Sequence, residues 1–123
     1  AADWKTVVAR TLDAFGRIDL VFANAGFGAQ RGFRNESPEQ WKSMVLTNVY
    51  GAALTIRATI DHLTQTKGHL LLTGSVAGRR ALPGSLYSAT KWAVTATASF
   101  FSAASLPGRR PTTLALRTRR TSF

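Results

Sequence analysis

With 123 residues, 45% of them hydrophobic, the chain has material for one packed domain and too little for two. It holds no cysteine, which excludes a disulfide framework and a thiolate metal site, and His62 and His69 stand apart from each other, so no metal centre is expected. The net charge of +10 is regional: residues 1 to 61 carry seven bases against six acids, whereas residues 62 to 123 carry nine bases and no acid. Five of those nine are Arg109, Arg110, Arg117, Arg119 and Arg120, crowded near the end. No stretch reads as a secretory leader or a membrane span, so a cytoplasmic protein without a membrane partner is expected.

Along the chain, Trp4, Val7, Val8, Thr11, Leu12 and Phe15 recur at i, i+3 and i+4, which predicts an amphipathic helix with Asp3 as N-cap and Gly16 at its end. Residues 18–23 are mostly apolar and bounded by turn residues, the pattern of a strand buried on both faces, and Asn24-Ala25-Gly26 closes them. The glycines that follow do not make a phosphate-cradling turn. Gly32 comes four residues after Gly28 where that fingerprint needs three, and the next helix waits until Ser37, so a flexible connection is expected.

Ser37-Pro38-Glu39-Gln40 is a strong helix start, with Ser37 at the N-cap, Pro38 at the first helical position and Gln40 completing a capping box. One long helix follows, with an apolar stripe of Trp41, Met44, Val45, Val49, Ala52 and Ile56. Asn48 lies within that stripe. A buried amide left unpaired costs about 1 to 3 kcal/mol, so Asn48 either bonds a neighbouring backbone or holds water in a site. Lys67-Gly68 ends the helix, and His69-Leu70-Leu71-Leu72-Thr73 reads as a second buried strand running into Gly74-Ser75. Residues 85–105 form a further helix rich in Ala, Ser and Thr, whose flat surface suits close packing against a second copy.

Strand, helix, strand, helix implies a parallel sheet, and ligands bind at the edge where the carboxyl ends of its strands meet. Asn24 and Ser75 are expected at that edge, and the helix that opens after Pro83-Gly84 brings Tyr87 and Lys91 to it. These two, four residues apart, share one helix face. A phenol ordinarily ionises at about 10, so a tyrosine that exchanges protons near neutral pH needs a fixed cation beside it. About 4 kcal/mol of preferential stabilisation of the phenolate is required, which one ammonium in a dry cleft supplies. Lys91 is placed to be that cation.

Over roughly residues 4 to 98 these motifs resemble the short-chain dehydrogenase/reductase family. Asn24-Ala25-Gly26 is similar to the family's Asn-Asn-Ala-Gly strand end, with Ala23 in place of the first Asn, and Thr47-Asn48-Val49 to the segment of its catalytic asparagine. Gly74-Ser75 matches the strand end that bears the catalytic serine, and Tyr87-Ser88-Ala89-Thr90-Lys91 matches the Tyr-x-x-x-Lys pair. The resemblance implies a Rossmann-like, doubly wound parallel α/β sheet, present here in part. It implies NAD or NADP as cofactor, a small carbonyl or alcohol substrate, and a homo-oligomer. Tyr87 becomes the general acid or base, Lys91 the cation that favours the phenolate and bonds the nicotinamide ribose, and Ser75 the residue that orients the substrate oxygen. Asn48 would hold a water linking Lys91 to solvent, and Asn24, Ala25 and Gly26 would line the cofactor site.

The family's opening Thr-Gly-x-x-x-Gly-x-Gly turn has no counterpart ahead of Trp4, and Thr73-Gly74-Ser75-Val76-Ala77-Gly78 has Arg80 where the last glycine of such a turn would stand. Pro107-Gly108 precedes the only later strand-like run, residues 112–116. The expectation is therefore an internal fragment, with residues 1–106 a partial Rossmann-type domain and residues 107–123 a basic, aberrant tail. By themselves these 123 residues are expected to bind cofactor weakly or not at all and to be inactive. Two alternatives stand beside the oxidoreductase: an inactive remnant without cofactor binding, and a basic protein that holds nucleic acid through its tail without sequence preference.

Overall fold

In the computed structural model, which describes residues 2–30, 32–80 and 85–103, the first helix, α1 (Ala2–Phe15), ends where the expected glycine stands. Gly16 takes φ +73°, a left-handed conformation that costs glycine little, and its N–H donates to the Leu12 carbonyl at 2.7 Å. Asp3 lies inside the first turn rather than at the cap, where its charge still complements the helix N-terminus. Trp4, Val8, Thr11 and Leu12 turn toward the body of the domain, but Val7 and Phe15, expected in the same stripe, are exposed. Val7 falls beside the row made by Trp4, Val8 and Leu12, and Phe15 sits on the last turn.

Strands β1 (Leu20–Ala23) and β2 (His69–Leu72) pair in parallel, from Leu20 opposite His69 to Ala23 opposite Leu72. Between them run α2 (Pro38–Val45), a π-helical turn (Leu46–Tyr50) and α3 (Gly51–Thr66). The single long helix read from the sequence is thus continuous but has one wide turn, closed by the Gly51 N–H on the Leu46 carbonyl. The extra residue in that turn resets the buried face: Met44, Asn48, Thr55, Ile56, Thr59 and Leu63 are buried, and Val45 is exposed. The capping box forms as expected, Ser37 Oγ accepting the Gln40 N–H at 3.3 Å and Gln40 Oε1 accepting the Ser37 N–H at 2.9 Å.

Lys67, at φ +55°, turns the chain out of α3, and the Gly68 N–H closes the helix on the Leu63 carbonyl at 2.8 Å. Gly68 itself is pressed against β1. A Cβ there would stand 2.5 Å from the Asp19 carbonyl oxygen, which bonds the His69 N–H at 2.8 Å and starts the ladder. After β2 a 3-10 turn (Val76–Gly78) precedes α4 (Leu86–Ala103). Pro83-Gly84, residues 104 and 105 of the expected last helix, Pro107-Gly108, residues 112–116 and the tail of residues 107–123 lie outside the described residues.

The core joins Ile18, Ile56, Leu63, Leu70, Leu72, Val94 and Ala98, with Val8, Leu12, Val21, Ala23 and Ile60 packed against it. Each large aliphatic side chain there contributes about 2 kcal/mol by leaving water. The opposite face of the same strands is open, with Leu20 57% and Phe22 45% exposed. The expectation that β1 is buried on both faces is therefore corrected. Its apolar residues suit a strand covered from two sides, but among the described residues the helices cover one.

Candidate active site

The carboxyl ends of β1 and β2 lie side by side, so the residues that follow each strand share one edge of the sheet. The Thr73 N–H donates to the Ala23 carbonyl at 3.1 Å, continuing the ladder, and the Thr73 hydroxyl donates to Asn24 Oδ1 at 2.9 Å. The Thr73 carbonyl accepts a hydrogen bond from Lys91 Nζ at 2.9 Å. One residue after β2 thereby fastens the segment after β1 to the lysine of α4. Ala25 is exposed between Asn24 and Gly26.

Asn48 is buried at 2% exposure, and every group of its amide is engaged. Its Nδ2 donates to the Phe27 carbonyl at 2.9 Å and to Thr90 Oγ1 at 3.0 Å, while Oδ1 accepts the Phe27 N–H at 3.0 Å. Of the two options open from the sequence, the amide takes the neighbouring backbone. Asn48 lies one turn after buried Met44, in the π-helical turn, and points inward between two exposed residues, Leu46 and Tyr50. Gly26 leaves little space for a side chain at this approach. A Cβ there would stand 3.0 Å from Asn48 Oδ1 and 3.5 Å from Lys91 Nζ.

Helix α4 opens with Ser85 Oγ accepting the Tyr87 N–H at 3.3 Å, which satisfies one of the donors left over in a first turn. Tyr87 is half-buried there, and Lys91, one turn on, is 5% exposed with Nζ 5.7 Å from the centre of the Tyr87 ring. Burial pushes the Lys91 ammonium below its usual 10.5, because the charged form has given up water for a single carbonyl among the described residues. Ser75, 5% exposed, accepts the Ala77 N–H on its Oγ at 3.2 Å and so caps the 3-10 turn. That turn lies directly on α4: a Cβ at Gly78 would run into the Lys91 carbonyl and reach within 2.8 Å of Thr95 Oγ1.

The structure thus brings two hydrogen-bonded sets together at this edge, Asn24 with Thr73 and Lys91, and Phe27 with Asn48 and Thr90; Gly26 is close to both Asn48 and Lys91, Tyr87 is beside Lys91 and Ser75 is on the adjoining turn. No hydrogen bond joins the Ser75 hydroxyl to the Tyr87 phenol among the described residues. Two organising residues escaped the sequence reading. Thr90 sits three residues after Tyr87, a helical neighbour that spacing alone could have found, whereas Thr73 acts partly through its carbonyl, which leaves no mark in a sequence. His62 is half-buried on α3 and His69 exposed on β2, and no group of three or more metal-ligating side chains occurs among the described residues. Nor is any described helix long and apolar enough to cross a membrane.

A family sequence profile described as "short chain dehydrogenase" matches residues 1–105. The chain belongs to the short-chain dehydrogenase family. An uncharacterized oxidoreductase of Listeria monocytogenes is 35% identical over 94 residues, covering 75% of this chain and 38% of that protein. Among solved structures, a short-chain dehydrogenase/reductase from Burkholderia phymatum in complex with NAD matches with a TM-score of 0.84 and 28% identity, over 95% of this chain and 43% of that one. An alcohol dehydrogenase from the archaeon Thermococcus sibiricus, complexed with 5-hydroxy-NADP, matches with a TM-score of 0.75 and 34% identity, over 81% and 43%. The chain therefore spans about two fifths of the length of these relatives, and the partial parallel α/β sheet of a Rossmann-type short-chain dehydrogenase accounts for its fold.

Proposed function

We propose that this segment supplies the proton-transfer and nicotinamide-facing part of an oxidoreductase that interconverts a small carbonyl and its alcohol with NAD or NADP. The observation that carries the proposal is the placement of Lys91. A buried ammonium that spends one of its three donors on the Thr73 carbonyl, beside a tyrosine ring and a closely packed glycine, suits a ligand rich in hydroxyls. A nicotinamide riboside is such a ligand. Lys91 and Tyr87 would hold its ribose, and Asn24, Ala25 and Gly26 would line its approach. The nicotinamide, when bound, supplies the hydride in reduction and takes it in oxidation.

The remaining steps belong to this chain. In reduction the Tyr87 hydroxyl gives its proton to the substrate oxygen as the carbon accepts hydride; in oxidation the phenolate takes that proton back. The buried Lys91 ammonium, 5.7 Å from the centre of the Tyr87 ring, would favour the phenolate through its charge. Ser75 accepts from the Ala77 N–H, so its own proton remains to point at the substrate oxygen and orient it for Tyr87. Asn48 gives both amide protons to Phe27 and Thr90, so any water that it holds for proton return to Lys91 would rest on Oδ1 or its backbone carbonyl. Packing of α4 against a second copy belongs to the same proposal.

Absorbance of the reduced nicotinamide, followed with a panel of small ketones, aldehydes and alcohols, tests this reading in the intact protein. Carbonyl-dependent oxidation of NADH or NADPH is expected. Cofactor affinity unchanged in Lys91→Met, together with no turnover on any panel member, would overturn it.

A further inference from the structure

We infer that Thr90 is a positioning residue of this site: its hydroxyl anchors the Asn48 amide to α4 and, through it, holds the Phe27 backbone against the turn that carries Tyr87 and Lys91. The inference rests on the catalytic reading of that turn given above. Thr90 is 2% exposed. Its Oγ1 donates its only proton to the Tyr87 carbonyl at 2.8 Å, so the oxygen faces Asn48 as an acceptor, and Nδ2 meets it at 3.0 Å. The second Nδ2 proton goes to the Phe27 carbonyl and Oδ1 takes the Phe27 N–H. The pattern admits one amide orientation. Rotated by half a turn, the amide would set its oxygen against the Phe27 carbonyl and the committed Thr90 oxygen, and its NH2 against the Phe27 N–H.

Other buried threonines show what an uninvolved hydroxyl does in this fold. Thr55 bonds the Gly51 carbonyl at 2.9 Å and Thr59 the Thr55 carbonyl at 2.8 Å, each four residues back on its own helix. Thr90 makes the equivalent local bond and also receives one from α2–α3's π-helical turn, forty-two residues away in sequence. The chain of bonds from the Tyr87 carbonyl through Thr90 and Asn48 to Phe27 therefore ties α4 to the segment after β1. It does so beside Gly26, where a Cβ would stand 3.5 Å from Lys91 Nζ. Without the Thr90 oxygen the amide keeps its sense through Phe27 but loses its tie to α4, and the spacing between Gly26 and Lys91 loses its brace.

The test compares Thr90→Val, of the same shape without the hydroxyl, with Thr90→Ser, which keeps it, in the intact protein with cofactor and a turned-over carbonyl. Misplacement of reacting groups by a fraction of an ångström to 1 Å lowers rates by about tenfold to a hundredfold, so kcat of Thr90→Val should fall by that factor while KM for the substrate moves less than about threefold. Loss of the bond that anchors the amide to α4 should speed exchange of the Phe27 amide proton by about tenfold. Thr90→Ser should restore both. Parental kcat and Phe27 exchange in Thr90→Val would overturn the inference, and so would a Thr90→Ser variant as impaired as Thr90→Val, which would make the methyl group responsible. Should Thr90→Val not fold, Thr90→Cys carries the same comparison, because a thiol is a weaker acceptor of similar size. Tyr87→Phe is measured alongside. If it is inactive while Thr90→Val is parental, the Thr90 inference alone falls; if it keeps parental turnover, the catalytic reading falls and the Phe27 exchange rates still decide whether Thr90 braces the segment.

Discussion

The same two strands present opposite characters at their carboxyl edge and on their outer face. At the edge, Asn24, Thr73 and Lys91 form one hydrogen-bonded set and Asn48, Thr90 and the Phe27 backbone another, with bonds of 2.9 to 3.0 Å that cross between segments far apart in the chain. On the outer face, Leu20 and Phe22 are apolar and stand half in water. A polar cluster of this kind is stable only when its members are paired, because each orphaned buried group costs about 1 to 3 kcal/mol. An uncovered apolar face carries no comparable penalty within one chain, since it forgoes a gain and leaves no group unsatisfied. Over residues 24 to 91 the polar edge is therefore paired, while the outer apolar face of the sheet is left uncovered among the described residues.

That contrast can be broken at either end. The largest effect is expected at Lys91: in the intact protein, Lys91→Met should lower kcat/KM by about a thousandfold and weaken the cofactor, since it removes both the charge beside Tyr87 and the donor toward the ribose. Steady-state kinetics with a cofactor titration checks this. Next come paired truncations on the two faces of the sheet. Leu72→Ala, at 1% exposure, should destabilise by about 3 kcal/mol, while Phe22→Ala should change stability by less than about 0.5 kcal/mol, both read from denaturant midpoints. Equal costs would mean that the outer face is covered in solution. Ser37→Ala, which removes one half of the capping box, should cost about 1 kcal/mol without affecting turnover.

The smallest effect is one of pH. Lys91 is held below its unfolded value of 10.5 by burial, so its ammonium weighs against folding at neutral pH. In the window between the lowered folded value and 10.5 the unfolded chain binds the extra proton, and stability therefore rises with pH there. Relative to Lys91→Met, which has nothing to titrate at this position, the parent should gain stability as pH climbs toward 10.5. A difference between the two that is flat across that range would show that Lys91 is not held down by burial.

Much of this was legible in the residues, and the reasons differ by element. The capping box of Ser37 and Gln40, the glycine stop at Gly16 and the two strands are local signals, written in side-chain type and spacing, and the structure reproduces them. Sheet topology pointed to one edge for Asn24, Ser75, Tyr87 and Lys91, whereas Asn48 was legible only as a stripe amide in need of partners and joined the site through the family resemblance. The π-helical turn did not follow, because an extra residue in one turn leaves the 3.6-residue pattern almost intact; it shows only as Val45 exposed where burial was expected. The role of Thr73 is carried by a carbonyl that every residue has. The open face of β1 was misread because a strand composed for two covering layers looks the same in sequence whether or not both are at hand.

The central claim is that Tyr87 moves the proton and that the cluster around Lys91 holds the cofactor. A single-turnover measurement of nicotinamide oxidation in the intact protein, parent against Tyr87→Phe, tests it most directly when paired with a cofactor titration. The account predicts a loss of at least about a hundredfold in rate, with the cofactor dissociation constant within about threefold of the parent, because only the transferable proton is removed. Turnover near the parental rate in Tyr87→Phe would contradict it.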